Sequence, residues 1–408
     1  MKKTVNDLAV FGGLPTFGEQ LYVGRPNIGD RGRLLGRFNE ILNSRWFTND
    51  GPFVREFEQR IADLASVKHC IAMCNGTVAL EIAIRALGMK GEVIIPSFTF
   101  IATAHALQWQ GITPVFCDID PRTYTLDPKR VEQMITPRTT GIIGVHVWGY
   151  ICDIDALAEI GARHGLKLLF DAAHAFACSY NGRMIGSFGD AEVFSFHATK
   201  FFNTFEGGAV VTNDDELAKK IRLMRNFGFT GYDEVSYIGT NGKMMEISAA
   251  MGFTSLESMD EFIAINRRNY LRYREELRDL TGAKVLTYDE TDRSNYQYIV
   301  LELDETVTRL VSRDELWRIL CAENVMARRY FYPGCHRMEP YRSLFPDAGR
   351  LLPETESLAE RVLCLPTGTA VDEGDIEIIC QILKLVIDNA EDVRQLLNGL
   401  GASSAWAV

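Results

Sequence analysis

No stretch of this 408-residue chain approaches the roughly 18 consecutive apolar residues that would span a bilayer. The amino terminus offers only Leu8 to Phe11 as an apolar run, too short for a signal-peptide core, so the expected location is the cytoplasm. Basic residues are in deficit: 43 Lys and Arg against 54 Asp and Glu leave a formal net charge of −11. That balance excludes sequence-independent nucleic-acid binding, which needs clustered cations to neutralise phosphates. Nine cysteines are scattered from Cys70 to Cys380 with no Cys-x-x-Cys, which argues against a zinc site or a disulfide framework. Cys70 and Cys74 flank a short apolar run and read as small core residues. HExxH, Gly-x-Ser-x-Gly and the Walker Gly-Lys-Ser/Thr are all missing, and with them three large enzyme classes. Internal repeats and low-complexity stretches are also lacking.

What is present is an ordinary globular composition, 47% hydrophobic and 24% charged, long enough for two or three domains. From about residue 50 to 260, short apolar runs alternate with helix-length stretches. The runs include Val93 to Ile95, Val115 to Cys117, Gly141 to Val147, Lys167 to Phe170, Val193 to Phe196 and Ala209 to Thr212. Continuous apolar strands separated by helices indicate an α/β fold with a mostly parallel sheet covered on both faces. Ala249, Phe253, Leu256, Met259 and Ile263 recur every three or four residues and predict one long helix. Beyond about residue 280, Tyr298 to Leu303 alternates like a half-buried strand, and Arg313 to Glu323 and Ile376 to Asp388 read as helices. The expected organisation is an amino-terminal segment (1–30) associated with a small α+β domain (266–408), and a large domain (31–265). The tail after Leu400 reads as frayed.

Ligands of open α/β sheets sit at the carboxyl ends of the strands, so the residues just after each apolar run carry the information. Asn75-Gly76-Thr77 ends one strand and opens a helix, where a glycine, helix amides and a hydroxyl suit a phosphate. Asp171 ends the run Lys167 to Phe170, and a carboxylate there needs a cationic partner unless it caps a helix. Lys200 lies between aromatic runs and Gly207-Gly208, surroundings that would desolvate its amine and suit it to a Schiff base. Phe100, after Pro96, could stack on a planar ring. A phosphate cradle, a stacking ring, a strand-end carboxylate and a lysine together specify a phosphorylated heteroaromatic aldehyde held covalently, namely pyridoxal 5′-phosphate. Asp171 would keep its ring nitrogen protonated.

The chain also resembles, over nearly its whole length, the sugar-nucleotide aminotransferases of the DegT-like family, a branch of the fold-type-I pyridoxal-phosphate enzymes. The segments that carry the resemblance are NGTVAL, PSFTFIATAHAL, VFCDID, GVHVWGY, FDAAHAF, SFGDAEVFSFHATK, FEGGAVVT and GTNGKMME. The resemblance implies that Lys200 carries the cofactor and that Asp171 pairs with its ring nitrogen. His174 would lie beside the ring oxygen, Gly76, Thr77 and Ser195 would bind phosphate, and Phe100 would stack. It implies further that Asn241 reaches the phosphate of a neighbouring subunit, making a homodimer with shared sites, and that the cofactor alternates with pyridoxamine 5′-phosphate. Many members read KNLTTGEGG after the lysine; here Phe201 and Phe205 intervene, predicting a different pocket edge. LAVFGG near the start and the YFxPGCHxxEPYR pattern near the end are most similar to enzymes aminating C4 of dTDP-4-keto-6-deoxyglucose. The implied reaction moves an amino group from L-glutamate to that carbon, with Tyr332 and His336 on the sugar side. Amination at C3 is the same-class alternative, and a non-catalytic regulatory protein on the same fold is the alternative of another class.

Overall fold

A computed structural model describes residues 2–399 of the chain; the tail after Leu400 lies outside the described residues. Seven strands build the main sheet: β1 (His69–Met73), β2 (Glu92–Pro96), β3 (Thr113–Cys117), β4 (Thr139–Val145), β5 (Lys167–Asp171), β6 (Ala191–Ser195) and β7 (Gly208–Thr212). Their spatial order is β1-β7-β6-β5-β4-β2-β3. Neighbours from β6 through β3 pair in parallel, and β7 runs antiparallel to both β1 and β6. β7 is buried along its whole length and β5 along all but Lys167, because helices cover both faces. The strands read from sequence are all present, and the fold is the expected α/β architecture.

The register aligns the strand ends. Asp171 pairs with Val145 on one side and Val193 on the other, so three carboxyl ends open side by side into one crevice.

A second core surrounds a three-stranded antiparallel sheet of β8 (Ala283–Val285), β9 (Ile299–Leu303) and β10 (Val362–Leu365). The helices Arg313–Ala322 and Glu373–Asp388 pack on it through Leu316, Ile319, Ile376, Ile379 and Leu383. Val5 and Leu8 join the same core, and Leu21–Tyr22 pairs in parallel with Val325–Met326. The buried carboxylate of Glu323 ties the amino-terminal segment down, accepting from the Thr16 amide at 2.8 Å and from its hydroxyl at 2.6 Å.

Two sequence readings are corrected. The single long helix is two, Glu246–Glu257 and Met259–Glu276, broken at Ser258 (φ −107°, ψ 3°). The apolar recurrence survives the break because it records which face is buried, not whether the backbone is continuous: Ala249, Phe253 and Met259 share one core. β9 is not half-buried but buried at every position. One face meets the helices through Ile299 and Leu301, and the other meets the aromatic cluster of Trp148 and Tyr124 through Val300.

Among the described residues no helix is long and apolar enough to cross a membrane, and no group of His, Cys, Asp and Glu could hold a metal ion. Cys70 is buried as read from sequence, whereas Cys74 is only half-buried.

Candidate active site

A cavity of about 910 Å³ opens at the carboxyl ends of β4, β5 and β6. Asn75, Gly76, Thr77, Phe100, Asp171, His174, Ser195 and Lys200 all line it. Residues far apart in sequence thus share one wall, because parallel strands deliver their following turns to the same edge of the sheet.

The phosphate side is built by close packing. Asn75 caps the helix Gly76–Leu87, its side-chain oxygen accepting from the Val78 amide at 2.8 Å. Thr77 is therefore not the cap, and its hydroxyl is left for a ligand. A Cβ on Gly76 would lie 3.0 Å from the Ser195 Cβ, and one on Gly208 only 2.7 Å from the Asn75 and Gly76 backbone. The turn is pressed onto the ends of β6 and β7 so tightly that side chains are excluded. A cradle of backbone and hydroxyl groups at a helix start fits an anion.

Asp171 is buried, 6% exposed. No helix follows it, so it caps nothing. Its Oδ1 accepts from the Ala173 amide at 3.1 Å and its Oδ2 from the Thr103 hydroxyl at 2.9 Å. Burial raises its pKa above the ordinary carboxylate range, while these bonds and the charge of Lys200 pull the other way. A buried carboxylate with spare lone pairs facing a cavity fits a protonated ring nitrogen.

Lys200 follows the β6 end. Burial pushes its amine down from 10.5 to about 8, with the attraction of Asp171 resisting. Four residues earlier in the chain, Phe196 packs against Phe57 and Phe202 with ring centroids 5.7 and 5.2 Å apart. An amine near 8 supplies a substantial neutral fraction for attack on an aldehyde.

His174 is held neutral: burial, with Lys200 adding to it, drives it well below the usual histidine range. Its Nδ1 accepts from the Trp148 amide at 3.0 Å, which leaves Nε2–H as a donor. Its ring lies parallel to Phe331, 5.6 Å away. Phe100 stands 57% exposed at the cavity wall, free to cover a planar ring.

Several residues named from the sequence stand away from this cavity wall. Tyr332 does not line the cavity; it lies beneath the Arg313 guanidinium, 4.5 Å from its ring centroid. His336 is buried in a clamp, 2.7 Å from Ser97 Oγ and 2.8 Å from Glu356. Tyr330 and Phe331, just ahead of them in the chain, are the residues that reach the wall, with Arg328 alongside, its guanidinium 5.1 Å from the Tyr330 ring centroid. Phe201 and Phe205 do not shape the pocket edge either. Phe201 joins the core against the seven-stranded sheet, and Phe205 faces Phe38, 6.4 Å away. Asn241 is exposed, bridged to Asn226, and away from its own chain's cavity.

The sequence reading missed the contribution of the first 30 residues: Glu19, Tyr22 and Arg25 line the cavity mouth. It also passed over Thr99 and Thr103, whose only local mark is their place after the β2 end.

The chain matches the DegT/DnrJ/EryC1/StrS aminotransferase family over residues 30–384. It is 37% identical over 364 residues to the dTDP-4-amino-4,6-dideoxy-D-glucose transaminase of Shigella dysenteriae, covering 89% of this chain and 98% of that one. It is likewise 37% identical to the GDP-perosamine synthase of Caulobacter vibrioides, over 85% of this chain and 94% of that one. Among solved structures, DesI in the presence of its TDP-sugar product superposes with a TM-score of 0.92 at 51% identity, covering 97% of this chain and all of that one. With a cradle for phosphate, a buried carboxylate for the ring nitrogen and a desolvated lysine in one cavity, the chain belongs to the DegT/DnrJ/EryC1/StrS aminotransferase family and is a pyridoxal 5′-phosphate-dependent sugar aminotransferase.

Proposed function

We propose that the enzyme transfers an amino group from L-glutamate to the 4-keto carbon of a dTDP-4-keto-6-deoxyhexose, giving a dTDP-4-amino-4,6-dideoxyhexose and 2-oxoglutarate. What carries this reading is the 37% identity to a dTDP-4-amino-4,6-dideoxy-D-glucose transaminase, whose name puts the nitrogen at C4, together with the 51% identity to DesI, solved in the presence of its TDP-sugar product. The similarity to a GDP-perosamine synthase favours a second nucleotide, GDP, as the alternative carrier. The reaction is assigned to the cytoplasm.

When bound, pyridoxal 5′-phosphate supplies an electron-accepting ring next to the reacting carbon. Gly76, Thr77 and Ser195 would hold its phosphate, Phe100 would cover the ring, and Asp171 would keep the ring nitrogen protonated. His174 Nε2–H would donate to the ring oxygen, a role open to it because Nδ1 is already occupied by the Trp148 amide. Lys200 attaches the cofactor at rest. Once freed, its Nζ would take the proton from the donor's α-carbon and hand it to the cofactor in one half-reaction, and would take a proton back and deliver it to the sugar carbon that receives nitrogen in the other, as base and then acid each time. In the cofactor-free cavity that amine already lies near 8, close enough to neutral pH for both of its forms to be populated.

Asn241 completes the site from a second copy of the chain. It lies exposed and bridged to Asn226, and Phe227, Ile238 and Met245, near these two in the chain, are exposed apolar residues of the kind a homodimer would cover.

A single-turnover assay tests the substrate assignment. The pyridoxamine 5′-phosphate form is mixed with 4-keto and 3-keto dTDP sugars and with a GDP-linked 4-keto sugar, and the product is identified. Nitrogen at C4 of the dTDP sugar is the expected result; nitrogen at C3 or exclusive use of the GDP sugar refutes it.

A further inference from the structure

We propose that Thr103, backed by Thr99, is the positioning residue that orients Asp171 and strengthens its carboxylate as the acceptor for the cofactor's ring nitrogen. The inference rests on the reading of Asp171 as that nitrogen's partner.

The geometry is a directed chain of hydroxyls. Thr103 Oγ1 lies 2.9 Å from Asp171 Oδ2, and Thr99 Oγ1 lies 3.1 Å from Thr103 Oγ1. A hydroxyl has one proton to give. The carboxylate can only accept from Thr103, so Thr103 spends its proton there, and Thr99 must be the donor to Thr103. Both O–H dipoles then point toward Asp171. Thr99 is 2% exposed and Thr103 fully buried, so water does not compete, and successive bonds polarise one another.

The chain is held from both ends. Thr103 sits in the first turn of the helix Ile101–Gln108, its amide bonded to the Phe100 carbonyl at 3.2 Å. Thr99 is fixed through its carbonyl, which accepts from Cys335 Sγ at 3.3 Å, while the Cys335 amide bonds Ser97 at 2.9 Å. The turn that carries Phe100 to one part of the cavity wall therefore also delivers the hydroxyls to Asp171.

Each carboxylate oxygen has one donor from the protein, the Ala173 amide on Oδ1 and the Thr103 hydroxyl on Oδ2. With both in place the carboxylate plane is set and its remaining lone pairs serve the cavity. Without Thr103, Oδ2 loses the donor that favours the charged form, in a site where burial already favours the neutral one.

The test uses the holoenzyme loaded with pyridoxal 5′-phosphate labelled with ¹⁵N in the ring, together with titration of cofactor into the cofactor-free protein. Thr103→Val keeps the shape and removes the hydroxyl. The ring-nitrogen resonance is expected to move downfield, toward unprotonated pyridine, and cofactor affinity to fall about tenfold, as for loss of a hydrogen bond to a charged group. Thr103→Ser should restore both. Thr99→Val should give a smaller shift of the same sign and add nothing to Thr103→Val. A wild-type resonance and affinity in Thr103→Val overturns the proposal. Should that variant fail to fold, Thr99→Val decides: an unmoved resonance there overturns it. Asp171→Asn is the separate control, since an unmoved resonance in that variant overturns the role of Asp171 itself.

Discussion

The acidity of Lys200 makes the sharpest prediction. An ordinary lysine at 10.5 is neutral in about one molecule in a thousand near pH 7.5, whereas one at about 8 is neutral in roughly a quarter. The cofactor-free enzyme should therefore present roughly 200-fold more reactive amine at this position than at a solvated lysine. Two opposing influences set the value: burial lowers it, and the Asp171 charge raises it. The perturbation is Asp171→Asn, which removes the charge and keeps the shape. With the attraction gone, the inflection should move below its wild-type position near 8, not above it. Competitive labelling of the cofactor-free protein with an amine reagent across a pH series, read by peptide mass spectrometry, gives the titration of Lys200 against the other lysines as internal standards. A wild-type inflection near 10.5, or an upward movement in Asp171→Asn, would falsify both the desolvation and the pairing.

The same shift has a stability consequence. Because the folded value lies below the unfolded one, the unfolded chain binds more protons between about pH 8 and 10.5, so stability of the cofactor-free protein should rise with pH there by up to about 1.4 kcal/mol per unit. Denaturant unfolding at fixed protomer concentration should find that slope reduced in Lys200→Met; an unchanged slope assigns it to other groups. Gly208→Ala drives a Cβ into the Asn75–Gly76 backbone and should cost about 1–3 kcal/mol and weaken cofactor binding; wild-type affinity in a folded variant would show that the cradle does not depend on that contact. Mixing Lys200→Ala chains with Asn241→Ala chains should restore some activity, since one site of the heterodimer is then intact. If Asn241→Ala alone is severely impaired and subunit exchange is verified, the absence of recovery places Asn241 in its own chain's site.

Much of the site was legible from local pattern. Asp171 and Ser195 follow or end uninterrupted apolar runs, and in a parallel sheet the residues after such runs converge on one edge whatever the connections between them. Lys200 could be read as desolvated because its neighbours in the chain are aromatic. These inferences need only a residue's own surroundings and a rule of sheet topology.

Other features depended on contacts between distant segments, which leave no mark in either segment alone. Nothing in the composition of residues 1–30 says that Tyr22 and Arg25 will stand at the cavity mouth; pairing of Leu21–Tyr22 with Val325–Met326 puts them there. Tyr330 and Phe331 rather than Tyr332 and His336 face the cavity because His336 is drawn away between Ser97 and Glu356. Thr103 and Asp171 are joined by a single hydrogen bond between a helix and a strand, and a threonine in a first helical turn has no sequence signature that names its partner. The amino-acid sequence thus determined which residues end the strands and which faces are apolar, since these follow from local hydrophobic pattern. The tertiary structure alone decided what each of those residues touches, since hydrogen bonds and packing contacts are properties of two segments meeting.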